Sequence, residues 1–419
     1  MRHNEPQSNH RRARDLKLVA LTLATVVLLV ASCTPSAPEP SIGANTVEVL
    51  FVSPDGGASV LTPQAMKERV IQLIDEAEAT VDAAFEYLED VDVARALVRA
   101  RDRGVRVRVV GDEDHRDQAG FVVLDTEGVE SVFGNGTIFW NPQPAVEVLR
   151  VGEDNRMTHN FVIADELFVV AMTGGFPSDY DIRSQQGFFM RSQWAAKDFG
   201  DEFQQLFGGV FATTLTLYGA PISAATNNRT RYILDQPRVM EIYFGPQDPI
   251  LKQIIDDVYA ARGSVYVAAE VFSNRDLANA LRYKAEVGFD VRVVVGPDAV
   301  STPYSQVEGL SAAFAEIRAR EGTPFPQLVL GPHLAENVVL IDTAASPVDG
   351  VRYPASLMVT TLPFFASIPY EITPSGPVSR PAALFSDSNM WVIREQPTAA
   401  DADIVAAVER FGTLTRRQP

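Results

Sequence analysis

Apolar and polar positions change period along this chain in an order that occurs twice. Val47-Glu48-Val49-Leu50-Phe51 opens as a short strand signal, closed by the turn Ser53-Pro54-Asp55-Gly56-Gly57. Val70, Ile71, Ile74 and Ala77 then recur at helical spacing, and residues 80–87 read as a buried strand. A second helix is expected over 93–101, with Gly104 where a helix C-cap takes positive φ. Residues 105–110 are a β-branched run suited to a sheet covered on both faces. The succession returns as a strand at 240–244, a turn at Gly245-Pro246 and a helical spacing of Leu251, Ile254, Ile255 and Val258. A strand at 264–272, a helix at 277–284, Gly288 as the cap and a β-branched run at 289–295 complete it. The pattern predicts β-α-β-α-β in each half, hence an α/β chain with a mixed sheet flanked by helices in each lobe.

The two halves also share residues. Shifted by 184 positions, 81–110 overlays 265–294, with Val81 on Val265, Glu86 on Glu270, Leu97 on Leu281 and Gly104 on Gly288 among the identities. Two equivalent copies imply two lobes related by a pseudo-twofold axis, and a site at their junction would draw groups from each. The lobes are expected at 46–220 and 238–395, joined by the Asn-, Thr- and Pro-containing stretch 221–237. A final helix is expected over 398–410, in a C-terminal segment covering 396–419.

The first 32 residues stand apart. Arg2, Arg11, Arg12, Arg14 and Lys17 precede the weakly polar or apolar run 18–32, which at fifteen residues is short for a spanning helix, about 20 being needed. This is a secretory signal pattern. It ends in Val30-Ala31-Ser32-Cys33, which resembles a bacterial lipobox, and Cys33 is the only cysteine of the chain. Lipidation of Cys33 accounts for both its place and its solitude. Pro35, Pro38 and Pro40 make 33–45 a tether. The expected location is the cell envelope, lipid-anchored, and Thr34 favours the outer membrane, facing periplasm or surface, if the cell is Gram-negative. Without residues 1–32 the chain carries 31 basic and 52 acidic side chains, a formal charge of −21. Such a surface repels nucleic acid, whose binding needs clustered Lys and Arg, so no nucleic-acid partner is expected.

Several motifs follow one another in the first half: the strand ending Glu86-Tyr87, Arg103-Gly104-Val105, the strand 107–110 with Asp112, then Thr158-His159-Asn160-Phe161-Val162-Ile163-Ala164-Asp165 and Thr173-Gly174-Gly175. With the duplication, this order resembles the phospholipase D superfamily over roughly residues 46–395. The resemblance implies two repeated phospholipase D-like lobes, each carrying His-x-Lys-x4-Asp. In that family one His attacks phosphorus to form a phosphohistidine and the other protonates the leaving group. The Lys and a downstream Gly-Ser-x-Asn hold the phosphate oxygens.

Residue by residue, the motif is incomplete. His159 keeps its place. Without a gap, Phe161 stands in the Lys slot and Glu166 in the Asp slot; with one deletion, Asp165 is the Asp and the Lys is gone. In the second half His333 lies nine residues before Asp342, with Ala335 and Asn337 near the Lys position. There is no lysine between Lys67 and Lys197 and none after Lys284. A cation about 4 Å from an oxyanion contributes on the order of 4 kcal/mol at an effective dielectric near 20, so losing both slows phosphoryl transfer by several powers of ten. Arg156, Arg183 and Arg352 are the candidate replacements, since guanidinium groups bind phosphate in a forked geometry. The candidate catalytic residues are therefore His159, Asp165, His333 and Asp342, and the candidate phosphate-binding residues Arg156 and Arg183.

Other features are blander. Asp112-Glu113-Asp114-His115-Arg116-Asp117 reads as a solvated turn rather than a metal cluster. The apolar stretch 362–370 and Trp140 read first as core. No metal or cofactor is expected. The reading is an envelope lipoprotein with a degraded phosphodiesterase site that binds or scaffolds. Two rivals are a divergent phosphodiesterase acting on a phospholipid or other phosphodiester through His159, and a structural lipoprotein with a filled cleft. An open polar pocket with His159 and His333 facing each other favours the enzyme; a cleft plugged by Phe161 or Phe364 favours the scaffold.

Overall fold

The structure, a computed structural model, describes residues 45–57, 60–134, 138–140, 149–151, 156–211, 231–233, 239–302, 304–364, 367–373, 376–381, 387–395 and 401–416. The expected signal segment, Cys33 and nearly all of the tether lie outside these residues, as does most of the 221–237 connection. Residues Ile42–Pro419 form one compact unit. Among the described residues no helix is long and apolar enough to cross a membrane.

The first sheet has seven strands: β1 (Thr46–Val52), β2 (Thr80–Phe85), β3 (Arg106–Gly111), β4 (Glu130–Phe133), β7 (Asn160–Ala164), β8 (Phe168–Met172) and β9 (Gln185–Arg191). Between β4 and β7 a separate hairpin pairs β5 (Ile138–Trp140) with β6 (Leu149–Val151). The spatial order is β1-β9-β8-β7-β2-β3-β4; β2, β3 and β4 are parallel and the other pairs antiparallel. The second sheet repeats this plan with β11 (Val239–Gly245), β19 (Ser388–Arg394), β16 (Ser356–Thr360), β15 (Asn337–Ile341), β12 (Ser264–Ala269), β13 (Asp290–Val295) and β14 (Gln327–Leu330). It adds β10 (Arg231–Ile233) as an outer edge strand inside the expected connection, and a hairpin of β17 (Ser367–Thr373) and β18 (Gly376–Pro381).

Each lobe is built as its sequence pattern requires. β12 is buried along its whole length, and all of β2 but Thr80, because helices cover one face and the other lobe the second. The helix Val91–Asp102 starts at Asp90, whose side chain accepts from the Asp92 and Val93 amides; Arg275–Glu286 starts at Asn274, which accepts from Leu277. Both helices end before a glycine in the left-handed region, Gly104 at φ 93° and Gly288 at φ 91°. The last helix runs Ala402–Arg416, later than the 398–410 read from sequence.

The lobes share one core. Phe161, Phe188, Phe199 and Phe203 of the first lobe pack with Phe244, Val359 and Trp391 of the second, and with Ile404 and Phe411 of the last helix. Phe199 touches Phe161, Phe188 and Phe244 edge-on, at centroid distances of 5.0, 6.0 and 4.9 Å. Leu362 and Phe364 belong to a different cluster, the second lobe's own helix-side core.

Candidate functional site

Two short main-chain ladders stitch the lobes together, and the pseudo-twofold relates them. Thr158 N–H donates to Asp387 O at 2.7 Å and Asp387 N–H to Arg156 O at 3.0 Å; in the mirror arrangement Ser184 N–H donates to His333 O at 3.1 Å and Ala335 N–H to Ser184 O at 2.8 Å. Each ladder joins the residues entering β7 or β15 to those entering the opposite lobe's β19 or β9. Arg156 and His333 thus hold matching places, as do Thr158 and Ala335, and His159 and Glu336.

His159 is sealed in, with 0% of its surface exposed. Asn389 Nδ2 of the second lobe donates to its Nδ1 at 3.0 Å, so the neutral ring carries its proton on Nε2 and faces Glu202 Oε1 at 3.3 Å. Phe161 and Phe244 close the rest of the ring. Burial pushes the His159 imidazolium down to about 3 and the Glu202 carboxyl up to about 8, the latter against a hydrogen bond from Gln247. Its counterpart Glu336 is also fully buried, with Arg410 Nη2 at 3.4 Å and Gln186 of the first lobe within reach. His159 answers Glu336, not His333. His333 has 47% of its side chain exposed and lies 3.5 Å from Asp298. The two histidines do not face each other across the seam.

Asp165 and Asp342 sit at the far ends of β7 and β15 and do the same work. Asp165 accepts the amides of Glu78, Ala79 and Thr80, which holds its carboxyl below the usual range despite partial burial; Asp342 accepts those of Arg262, Gly263 and Ser264. Both are in the left-handed region, at φ 54° and 56°. Each shapes a turn and neither reaches a histidine. The strands between run without a bulge, so an ungapped motif count back from these aspartates ends on Thr158 and Ala335 in the His slot and on Asn160 and Asn337 in the Lys slot. Asn160 Oδ1 accepts the Glu86 amide at 3.0 Å and Asn337 Oδ1 the Glu270 amide at 3.3 Å. In each lobe an asparagine amide thus braces the neighbouring strand.

Beside these strand ends lies a cavity of about 270 Å3, lined by Glu86, Tyr87, Thr173, Gly174, Asp179, Arg183, Glu270 and Ala335 among others. Glu86 and Glu270, identical in the repeat, bring one carboxylate from each lobe. Arg183 donates to Asp179 at 2.8 Å and to Glu270 at 2.8 Å, and Arg156 is 3.7 Å from Glu86. Both arginines proposed from sequence therefore stand at the seam, each opposed by a carboxylate; Arg352 is elsewhere, 3.0 Å from Glu395. Burial pushes Glu86 up to about 8, against the pull of Arg156 and with Asp112 and Glu270 adding to the rise. Glu270 is raised for the same reason, opposed by Arg183 and Arg156. Asp112 is fully buried and accepts the Met157 amide at 2.7 Å, so it organises the entry to β7 rather than a solvated loop. His115 packs edge-on against Tyr87 at 4.2 Å.

Sequence reading missed Glu336, Asn389 and Arg410, because no motif names them. Glu86 and Glu270 were visible in the repeat but carried no assigned role. The site offers an acceptor-rich pocket and a buried histidine with both nitrogens occupied.

Residues 70–180 match a family described as cardiolipin synthase, PLD-like domain. Among solved structures, the phosphatidylserine synthase of Haemophilus influenzae Rd KW20 is similar at 13% identity and a TM-score of 0.53, over 88% of this chain and 86% of that one. A polyphosphate kinase from Porphyromonas gingivalis follows at 10% identity and 0.46, over 88% and 50%, and Nuc from Salmonella typhimurium at 19% and 0.30, over 39% and 95%. No curated protein matches the chain. Residues 70–180 thus match a PLD-like domain, and over most of its length the chain shares the fold of that phosphatidylserine synthase.

Proposed function

We propose that this chain is a non-catalytic, phospholipase D-like binding protein of the cell envelope, anchored by a lipid on Cys33. One observation carries the first half of the reading: the only motif-region histidine in the strand core, His159, is fully buried with a partner on each ring nitrogen. A phosphohistidine needs a nitrogen lone pair facing a phosphorus atom, and here the imidazole serves as a pin between lobes. Glu336 in the matching position and two asparagines in the lysine slots work in the same direction. The open seam cavity favours binding over a filled cleft.

The test is a phosphodiesterase assay on residues 42–419 with bis(p-nitrophenyl) phosphate and with phospholipid vesicles. The expected result is release no faster than buffer, and the same for His159→Ala; turnover that disappears in the variant defeats the reading. The rival, slow phosphodiester cleavage, draws on Arg156 and Arg183 at the cavity, and it requires that such turnover depend on Arg183. The anchor rests on the lipobox-like end of the signal pattern and the lone cysteine. Cells fed labelled palmitate should label the chain, and Cys33→Ser should abolish the label; unchanged labelling removes the lipid from the proposal.

A further inference from the structure

We propose that the second lobe rests on a zwitterionic lipid surface through its end remote from the seam, where Tyr259, Tyr283, Val287, Val348 and Val351 stand exposed. The inference rests on the reading of this chain as lipid-anchored at Cys33.

The duplication supplies its own control. At the shift of 184 the helices Pro63–Glu76 and Ile250–Ala260 stay in register, with Val70 on Ile254 and Ile74 on Val258, and both close at an alanine, Ala77 and Ala261. The same shift sets Asp75, Arg99 and Arg103 against Tyr259, Tyr283 and Val287. In the first lobe these three form a charge cluster, with Asp75 2.7 Å from Arg99 and 3.6 Å from Arg103. In the second lobe the rings of Tyr259 and Tyr283 lie 5.8 Å apart, at 47% and 49% exposure, and Val287 is 43% exposed one turn on. The helix cap has moved with them. Arg103 donates to Ile74 O and Ala77 O from the surface, whereas the buried Lys284, in the place of Ala100, donates to Ala261 O at 2.7 Å. Capping from inside leaves these three outer positions without charge.

A second departure lies beside the first. β7 and β8 are joined by a turn at 165–167, but β15 and β16 by the longer stretch 342–355. That loop packs on the residues following Tyr259: Arg262 lies over the Tyr353 ring at 5.1 Å. It carries Val348 and Val351 at 65% and 48% exposure. Exposed apolar side chains gathered at one end of a lobe mark a contact surface, and tyrosine among them suits the head-group level of a bilayer.

Place and charge select the occupant. The bridges Met157↔Asp387 and Ser184↔Leu334 are parallel, so both sheets run from the seam in one direction and their far ends share one end of the molecule. Thr46 pairs with Arg191, and Arg191 with Phe168 just past the Asp165 turn, so the expected tether enters the fold at that end. Fully extended, 33–45 span at most about 45 Å, less than the roughly 55 Å breadth of a fold of this size. The far end therefore meets the membrane before the seam does. A net charge of −18 repels anionic head groups, which leaves zwitterionic lipid as the surface for a patch stripped of charge.

The experiment is iodide quenching of a polarity-sensitive thiol dye on the full chain, reconstituted into vesicles of phosphatidylcholine and phosphatidylethanolamine. One preparation carries the dye on Val287→Cys, another on Arg275→Cys at the seam end of the same helix; Cys33, the only native cysteine, is blocked by its lipid. The dye at 287 should be quenched roughly threefold less than the dye at 275, as for a group seated among head groups. Tyr259→Asp combined with Tyr283→Arg rebuilds the first lobe's ion pair; it should equalise the two dyes while the chain still floats with the vesicles and melts at the same temperature. A chain that floats with both dyes quenched alike keeps its anchor and overturns the proposal, as does protection that survives the double substitution. A chain left behind when the vesicles float removes the anchor reading, and this proposal with it. Pairing of the chain in detergent by light scattering, lost in the double variant, assigns the face to a second copy and also overturns the proposal.

Discussion

His159 and Glu202 titrate in opposite directions because one physical cause, burial, acts on both. Glu202 rises to about 8, above its unfolded value near 4.5, so the stability it lends is complete below pH 4.5 and is lost as pH climbs towards 8. His159 falls to about 3, below its unfolded value near 6.5, so its contribution is complete above pH 6.5 and is lost as pH drops towards 3. Between 4.5 and 6.5 folded and unfolded chains bind equal numbers of protons at this pair, and the two effects cancel. Above 6.5 only Glu202 remains, and each pH unit then costs about 1.4 kcal/mol. Glu202→Gln keeps the shape and cannot ionise. Wild-type stability measured against that variant by urea denaturation should therefore decline by about 1.4 kcal/mol per unit between pH 5 and 8. Parallel curves across that range would mean that Glu202 is already ionised in the folded protein.

At the scale of elements, the repeated strand–helix order was legible because hydrophobic period and cap chemistry agree in both copies. Asp90 and Asn274 cap equivalent helices, and Gly104 and Gly288 end them in the same left-handed conformation. The site was less legible, for a reason visible in the registers. Gly288 answers Gly104 at a shift of 184, but Asn337 answers Asn160 and Asn389 answers Gln186 at different spacings, since the loops between strands differ in length. The β17–β18 hairpin, inserted between β16 and β19, has no partner among the described strands of the first lobe. No single shift could align both the helices and the seam. His333 drew attention because histidines are few, whereas its main chain occupies the place of Arg156 and the counterpart of His159 is Glu336. Asp165 and Asp342 were legible as a pair, yet only geometry assigns them to turns: three converging amides per carboxylate is a backbone arrangement that side-chain order alone does not announce.

For the whole molecule, the lobes are joined by a shared aromatic core that lies beside the seam cavity. Phe199 makes this testable, since it comes from the first lobe's closing helix Gln193–Phe207 and packs on Phe161 and Phe188 beside it and on Phe244 opposite. Truncating a fully buried phenylalanine removes its transfer free energy and leaves a cavity, together about 3–5 kcal/mol. If that core ties the lobes into one cooperative unit, heating the wild-type chain gives a single calorimetric transition, and Phe199→Ala moves it down without splitting it. The buried Trp391, in the second lobe, should then report the same midpoint shift as the global signal, although the substitution lies in the first. Two transitions in the variant, with Trp391 fluorescence following an unmoved upper one, would mean that the lobes stand independently.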